Sequence, residues 1–167
     1  MPILTLSIGS NIDAASNIRL AIKALREHFG NIDCSAVYES EAVGFQGDNF
    51  LNLVSAVTTE EPLGAILSFV KQLEDQLGRD RSQPKFSGRA MDIDILTYGA
   101  ATGADCGIAL PRPEITENAF VLRPLAELRP KQLHVETGAS FARLWAEYDK
   151  RSQHLWPIEF DWQGVLG

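Results

Sequence analysis

Two aspartates in an apolar stretch have the type and spacing needed to hold a metal ion. Asp92 and Asp94 alternate with apolar residues in the run Met91–Leu96. Because successive side chains of a β-strand point to opposite faces, a strand here would place both carboxylates on one side. Two carboxylates directed at one small volume repel each other unless a cation lies between them. Magnesium takes one or two carboxylates together with phosphate oxygens and water, so the pair indicates a magnesium site.

A basic segment precedes the acidic pair. It contains Arg79, Arg81, Lys85 and Arg89, although the chain as a whole has a formal net charge of −7. Guanidinium groups bind phosphate oxygens and a metal ion neutralises developing charge, so the combination is typical of phosphoryl transfer. The alternative is a solvated basic loop followed by a strand whose acids face water.

Length and composition limit the class of protein. A chain of 167 residues suits a single domain, residues 1–167, and its 45% hydrophobic and 22% charged residues are ordinary for a soluble protein. The acidic balance argues against binding to nucleic acid or anionic membranes, and no apolar run could span a bilayer. The N-terminal segment lacks the features of a signal peptide. We therefore expect a cytoplasmic monomer, with Cys34 and Cys106 as free thiols.

The hydrophobic pattern predicts the element order β-α-β-β-α-β. The predicted strands are Ile3–Ile8, Ile32–Ser40, Phe50–Thr58 and Met91–Leu96. Asp13 is expected to cap the first helix and Gly30 to end it, and Pro62 to start the second. This order is typical of a ferredoxin-like α+β sandwich with a largely antiparallel sheet and helices on one face.

The rest of the chain adds smaller elements. The Gly- and Ala-rich stretch 99–109 predicts a turn or weak hairpin, and Leu110–Pro113 a rigid loop. Extra C-terminal helices are predicted over Thr116–Glu127 and Ser140–Tyr148, the second with Phe141 facing inward.

Several short motifs recur together in one enzyme family. They are Gly9-Ser10-Asn11, Tyr38-Glu39-Ser40 with Val43-Gly44, Phe50-Leu51-Asn52, Glu74-x-x-x-Gly78-Arg79-x-Arg81, Gly88-Arg89-x-x-Asp92-Ile93-Asp94-Ile95 and Leu110-Pro111-x-Pro113. From Met1 to about Pro130 the chain resembles the 6-hydroxymethyl-7,8-dihydropterin pyrophosphokinases of folate biosynthesis. The resemblance implies the ferredoxin-like fold and the transfer of pyrophosphate from ATP to 6-hydroxymethyl-7,8-dihydropterin, with release of AMP.

The resemblance also implies roles for individual residues. Asp92 and Asp94 would hold two magnesium ions, and Arg79 and Arg89 would complete the catalytic set by clamping the phosphates. The implied ATP-binding residues are Lys71, Glu74, Arg81, Phe86, Ile95 and Arg112. The implied pterin-binding residues are Ser40, Val43, Asn52 and Phe120.

Simpler roles are open for some of these positions. Gly9-Ser10-Asn11 is also what a tight strand-to-helix turn needs, Asn52 could cap a sheet edge, and Glu74 could pair with Arg79. Two rival hypotheses follow for the whole chain: a non-catalytic paralogue that binds a pterin or nucleotide, and an interaction module of the same fold.

The chain departs from the family pattern at several positions. Arg112 replaces the histidine of a Pro-His-Pro motif, Asn118 replaces an arginine, and Phe86 stands where a tryptophan is usual. Glu41-Ala42 replaces an apolar residue and proline, and Ser87-Gly88 replaces glycine and proline. These departures fall in the implied nucleotide shell and pterin rim, whereas the metal-binding and clamp residues are retained.

Overall fold

The computed structural model describes residues 1–41, 48–77, 91–151 and 153–166. The strands in this part of the chain are β1 (Ile3–Ser10), β2 (Asp33–Cys34), β3 (Val37–Ser40), β4 (Phe50–Thr58), β5 (Asp92–Tyr98), β6 (Gly103–Asp105), β7 (Ile108–Leu110) and β8 (Leu155–Ile158). The helices are α1 (Ala14–Phe29), α2 (Leu63–Gln76), α3 (Glu114–Glu117), α4 (Ala119–Leu128) and α5 (Phe141–Glu147).

The main sheet has the strand order β5-β1-β4-β3-β8, with β2 also paired to β4. Each of these pairings is antiparallel. Helix α1 connects β1 to β2 and β3, and α2 connects β4 to β5, so each crossover passes over a strand that lies between its ends. This arrangement confirms the predicted β-α-β-β-α-β order and the ferredoxin-like class.

Alternating side chains separate the two faces of the sheet. Leu4, Leu6 and Ile8 of β1 are fully buried in the core that α1 and α2 cover. In α1 the apolar residues Ile18 and Ile22 are fully buried against the same core. Burial of this stripe is the main source of stability for an amphipathic helix.

The ends of α1 agree with the prediction in position but differ in chemistry at one end. Gly30 ends the helix with a φ of 89°, and its N–H donates to Arg26 O. Asp13 occupies the N-cap position in a left-handed conformation, but its side chain makes no capping hydrogen bond.

The opposite face of the sheet is covered as well, which differs from the prediction of helices on one face. Val54 of β4 and Leu96 of β5 point to this side and pack with α3, α4 and α5, including the fully buried Phe141. Apolar side chains on the second face need their own cover, and the C-terminal helices supply it.

The predicted strand Ile32–Ser40 is interrupted. Ser35 lies between β2 and β3; its N–H donates to Val54 O at 2.9 Å and its Oγ accepts from Val54 N at 3.0 Å. The hydroxyl therefore takes a place in the ladder that a backbone carbonyl would hold in a regular strand.

The C-terminal segment adds an edge strand that the sequence pattern did not predict. Strand β8 pairs with β3, and the residues after it return over α1, where Phe160 and Trp162 pack on the core. Arg19 Nη1 donates to Asp161 O at 2.8 Å, so α1 and this tail are joined by polar contacts as well.

The predicted helix Thr116–Glu127 is divided into α3 and α4 at Asn118, whose backbone is extended, whereas the predicted helix Ser140–Tyr148 agrees with α5. Strands β6 and β7 form the expected hairpin, and neither Cys34 nor Cys106 is in a disulfide. Within the described residues, no helix is both long and apolar enough to cross a membrane.

Candidate active site

One row of residues runs across the sheet and joins two groups of predicted site residues. Asp92 of β5 pairs with Gly9 of β1, Gly9 pairs with Asn52 of β4, and Asn52 pairs with Tyr38 of β3. Residues in register point to the same face, and adjacent strands lie about 4.8 Å apart. The carboxylate of Asp92 and the amide of Asn52 therefore lie on one face, separated only by a strand that has no side chain at this position.

The two aspartates are accessible from this face. Asp92 is half-buried, whereas the side chain of Asp94 is 52% exposed and its Oδ1 lies 3.6 Å from Arg112 Nη2. Among the described residues, no three or more His, Cys, Asp or Glu side chains form a cluster that could hold a metal. Two carboxylates that solvent can reach suit a hard ion that also takes phosphate oxygens and water, so the residues present fit magnesium.

Arg112 is fixed against β5 and does not extend freely into solvent. Its backbone N–H donates to Leu96 O at 2.9 Å, and its Nε donates to Ile95 O at 3.1 Å. The guanidinium also lies 3.7 Å from Glu114 Oε2, and the side chain is only 23% exposed. Arg112 is thus a positioned cation beside Asp94.

The predicted nucleotide residues on α2 and β5 differ in their surroundings. Glu74 is buried, and its Oε2 accepts from Ile93 N, the residue between the two aspartates, at 3.2 Å. Lys71 lies three residues earlier on the same helix and is exposed. Ile95 has its side chain in the core, so a contribution to a ligand site can come only from its backbone, which already binds Arg112.

The predicted pterin residues meet on the neighbouring strands. Asn52 Nδ2 donates to Ser40 Oγ at 3.0 Å, and both side chains are buried. Asn52 lies on β4, between β1 and β3, so the alternative that it caps a sheet edge is wrong. Phe120 is half-buried on the first turn of α4, the helix that covers β4 on this face.

Five predicted site residues lie outside the described part of the chain. They are Val43, Arg79, Arg81, Phe86 and Arg89.

The motif Gly9-Ser10-Asn11 has the contacts of a turn at its second and third residues. Ser10 Oγ donates to Ile12 O at 3.1 Å, and Asn11 Nδ2 donates to Asp48 O at 3.2 Å. The first bond lies within the turn, and the second joins the end of β1 to the residues that lead into β4.

A network of polar contacts between the segment of β3 and α4 was not expected from the sequence. The Tyr38 hydroxyl donates to Glu127 Oε1, and Ala36 N donates to Glu127 Oε2 at 2.8 Å. Burial, and secondarily this bond to Glu127, raises the pKa of Tyr38 to about 12. Arg123 stacks on the Tyr38 ring with its Cζ 4.9 Å from the centroid. The network fixes β3 to α4, and no local sequence signal links residues so distant along the chain.

Asn118, at the position where the family pattern has arginine, is part of another structural contact. Its Oδ1 accepts from Gln153 Nε2 at 3.1 Å, while Gln153 Oε1 accepts from Ala119 N at 2.9 Å. The side chain therefore joins the start of α4 to the segment before β8.

Comparisons with known proteins agree with this architecture. The family model for 7,8-dihydro-6-hydroxymethylpterin-pyrophosphokinase matches residues 5–130. The chain is 35% identical over 136 residues to a 2-amino-4-hydroxy-6-hydroxymethyldihydropteridine pyrophosphokinase of Aquifex aeolicus, covering 80% of this chain and 84% of the relative. The corresponding enzyme of Bacillus subtilis is 29% identical over 150 residues, covering 85% and 89%.

A solved structure of similar fold is the HPPK-DHPS triple mutant of Plasmodium falciparum with SDX-DHP. The TM-score is 0.69 at 14% identity, and the match covers 87% of this chain but 44% of that one. This chain thus spans less than half the length of that structure, and the likeness concerns the fold. Taken with the family model and the relatives above, it leads to one conclusion: the chain belongs to the 7,8-dihydro-6-hydroxymethylpterin-pyrophosphokinase family.

Proposed function

We propose that this protein transfers the β,γ-pyrophosphoryl group of ATP to the hydroxymethyl oxygen of 6-hydroxymethyl-7,8-dihydropterin and releases AMP. One observation carries the proposal. A carboxylate pair suited to metal-bound phosphates and an amide–hydroxyl pair suited to a heterocycle edge lie on the same sheet face, on either side of Gly9. An enzyme that joins a triphosphate to a heterocyclic alcohol needs both groups within reach of one reacting oxygen.

The acidic side of the site is assigned to magnesium and phosphate. Asp92 and Asp94 would hold two magnesium ions, which when bound neutralise charge that develops on the transferred group. Arg112 lies beside Asp94 and can place two guanidinium donors on phosphate oxygens. We assign Arg79, Arg81 and Arg89 to the same phosphate chain, with Arg79 and Arg89 as the clamp.

Four further residues are proposed to bind the nucleotide. We assign Lys71, Glu74, Phe86 and the backbone of Ile95 to the nucleotide site. Glu74 has a second effect that its hydrogen bond supports: by accepting from Ile93 N, it fixes the backbone between the two aspartates. A fixed backbone here holds both carboxylates in one geometry before substrate arrives.

The amide side of the site is assigned to the pterin. Asn52 offers a donor and an acceptor on one planar group, and Ser40 offers a hydroxyl that can donate and accept. A heterocycle edge with neighbouring donors and acceptors matches such a pair, and rejection of the wrong edge leaves buried polar groups unpaired. Val43 is assigned to the same edge and Phe120 to the face of the ring.

The direct test is an assay of the purified protein with ATP, magnesium and 6-hydroxymethyl-7,8-dihydropterin, in which AMP and the pterin diphosphate are quantified. The proposal requires equal amounts of both products and no AMP when the pterin is omitted. Release of ADP would show a different phosphoryl transfer. Tight binding of either substrate without any product would identify a non-catalytic paralogue.

A further inference from the structure

Gly9 occupies the position between the two halves of the proposed site. Its register partners are Asn52 on one side and Asp92 on the other. A side chain at this position would extend from the same face as theirs, into the space between the amide and the carboxylate.

The backbone itself does not require glycine here. The φ of Gly9 lies outside the left-handed region, so any L-residue could adopt the conformation. The obstacle is a side chain: a Cβ added to Gly9 would lie 2.6 Å from Asn52 Oδ1. The next contacts, Asn52 Cγ at 3.7 Å and Leu51 O at 3.8 Å, are of ordinary van der Waals length.

Two features therefore determine the position of the Asn52 amide: a hydrogen bond to Ser40 and the space left by the missing side chain of Gly9. Its Nδ2 donates to Ser40 Oγ at 3.0 Å, while its Oδ1 occupies the space that a Cβ at position 9 would fill. A methyl group at position 9 would force the amide to turn or withdraw, and a turned amide presents its donor and acceptor in different directions. Because Asn52 is 5% exposed, few other orientations are open to it.

We propose that Gly9 is a positioning residue for pterin recognition: it holds the Asn52 amide in its binding orientation and keeps the gap between Asn52 and Asp92 open. This inference rests on the proposed function, in which Asn52 binds the pterin. It also predicts a separation of effects. Gly9 should govern pterin affinity, whereas the ATP side of the site should be insensitive to it.

The experiment compares Gly9→Ala with the parent protein by calorimetric titration of 6-hydroxymethyl-7,8-dihydropterin and of ATP, with magnesium present. We expect Kd for the pterin to rise at least about tenfold, as when one hydrogen bond in a buried site is lost, and Kd for ATP to stay unchanged. In steady-state assays, KM for the pterin should rise in the same proportion while KM for ATP does not.

Gly64→Ala serves as the matched control. Gly64, in the first turn of α2, also has a φ outside the left-handed region, and a Cβ there would meet Cys106 Sγ at the ordinary distance of 3.7 Å. This substitution should leave both affinities unchanged. A loss of pterin affinity as large as that of Gly9→Ala would overturn the specific role of Gly9.

The double variant Gly9→Ala/Asn52→Ala tests the mechanism. Removing the amide removes the conflict, so Gly9→Ala should add little to the loss of pterin affinity already caused by Asn52→Ala. Additive losses would contradict positioning through Asn52. If Gly9→Ala alone does not fold, the double variant should fold, because the conflicting oxygen is gone; failure of both would also overturn the inference.

Two negative outcomes separate the two proposals. If the parent protein binds no pterin, the proposed function fails and this inference fails with it. If the parent binds the pterin and Gly9→Ala binds it equally well, only the role of Gly9 is refuted.

Discussion

At the scale of single residues, Arg112 and the proposed metal ion would both bind the carboxylate of Asp94. Asp94 Oδ1 lies 3.6 Å from Arg112 Nη2, and Asp94 is also a proposed metal ligand. A guanidinium and a divalent ion compete for the same oxygen, because each gains from a negative charge that the other neutralises. A bound phosphate would resolve the competition, since it would give the guanidinium a second anionic partner.

The first prediction follows from the acidic pair itself. Asp92→Asn and Asp94→Asn should each lower kcat by about a thousandfold or more, because each removes a charge that holds the metal at the transferring group. Asp33→Asn, a change at an exposed strand aspartate on β2, should leave kcat unchanged. Turnover at a near-normal rate in either Asp92→Asn or Asp94→Asn would exclude the proposed metal site.

The second prediction concerns Arg112. In Arg112→Ala, binding of ATP with magnesium should weaken by about 1.5 to 3 kcal/mol, the range for hydrogen bonds to charged groups. Binding of Mn²⁺ alone, followed by electron paramagnetic resonance, should instead strengthen by about fivefold, because the competing cation is gone.

Arg143→Ala is the control for Arg112→Ala, since Arg143 pairs with Glu147 on the exposed side of α5. It should change neither binding constant. Weaker Mn²⁺ binding in Arg112→Ala would contradict the competition, and unchanged ATP binding would contradict the phosphate role.

At the scale of elements, the alternation and helical spacing of apolar residues predicted the central strands and helices well. The predicted strand Phe50–Thr58 has the bounds of β4, and the pattern around Asp92 and Asp94 predicted that both point to one face of β5. These features depend on the local chain alone. The acidic pair could be recognised for the same reason, because residue type and a spacing of two are visible in the sequence.

Features that depend on distant pairing could not be predicted in this way. Strand β8 is short and contains Pro157, which argues against a strand, and it forms because β3 offers a free edge. The break at Ser35 depends on Val54 across the sheet. The contact between Gly9 and Asn52 likewise exists only once β1 and β4 are in register.

The third prediction concerns the connection between α4 and α5. His134 is buried there, and its Nδ1 accepts from Glu136 N at 3.3 Å and Thr137 N at 3.2 Å. Burial lowers the pKa of His134 below its ordinary value of 6.5, while the charge of Glu136 acts in the other direction. The neutral ring is thus the form that the fold selects, since a protonated Nδ1 cannot accept either bond.

The sign of the pH dependence follows from this shift. Because the pKa is lower in the folded state, the unfolded state binds more protons, and His134 destabilises the fold as pH falls below 6.5. The slope from this one group cannot exceed about 1.4 kcal/mol per pH unit.

His134→Asn tests the assignment, because an amide oxygen can accept in place of Nδ1 but does not titrate. Urea unfolding should show a smaller loss of stability between pH 7.5 and 5.5 in this variant than in the parent. Equal losses in the two proteins would show that His134 is not the titrating group.

At the scale of the whole molecule, one sheet separates two hydrophobic cores. The core under α1 and α2 contains Leu25, and the core under α4 and α5 contains Leu125; both leucines are fully buried. The family match ends at residue 130, but β8 and the tail that follows continue the sheet and cover α1. Both cores pack against the same strands. Disrupting the packing of one core should therefore destabilise the other.

The fourth prediction is that residues 1–167 unfold as one cooperative domain. Leu25→Ala and Leu125→Ala are a matched pair, since each removes the same buried atoms from a helix on one face. Each should lower the free energy of unfolding by about 2 to 4 kcal/mol, the range for a buried leucine.

Trp145 packs on the core of α4 and Trp162 on the core of α1, so two single-tryptophan versions of each variant can report the two faces separately. In urea, the fluorescence of both tryptophans should show the same new unfolding midpoint in each variant. We expect this because both cores pack on one sheet and a single domain unfolds in one two-state transition. A Leu25→Ala variant in which the midpoint at Trp162 falls while that at Trp145 stays unchanged would mean that the two faces unfold independently.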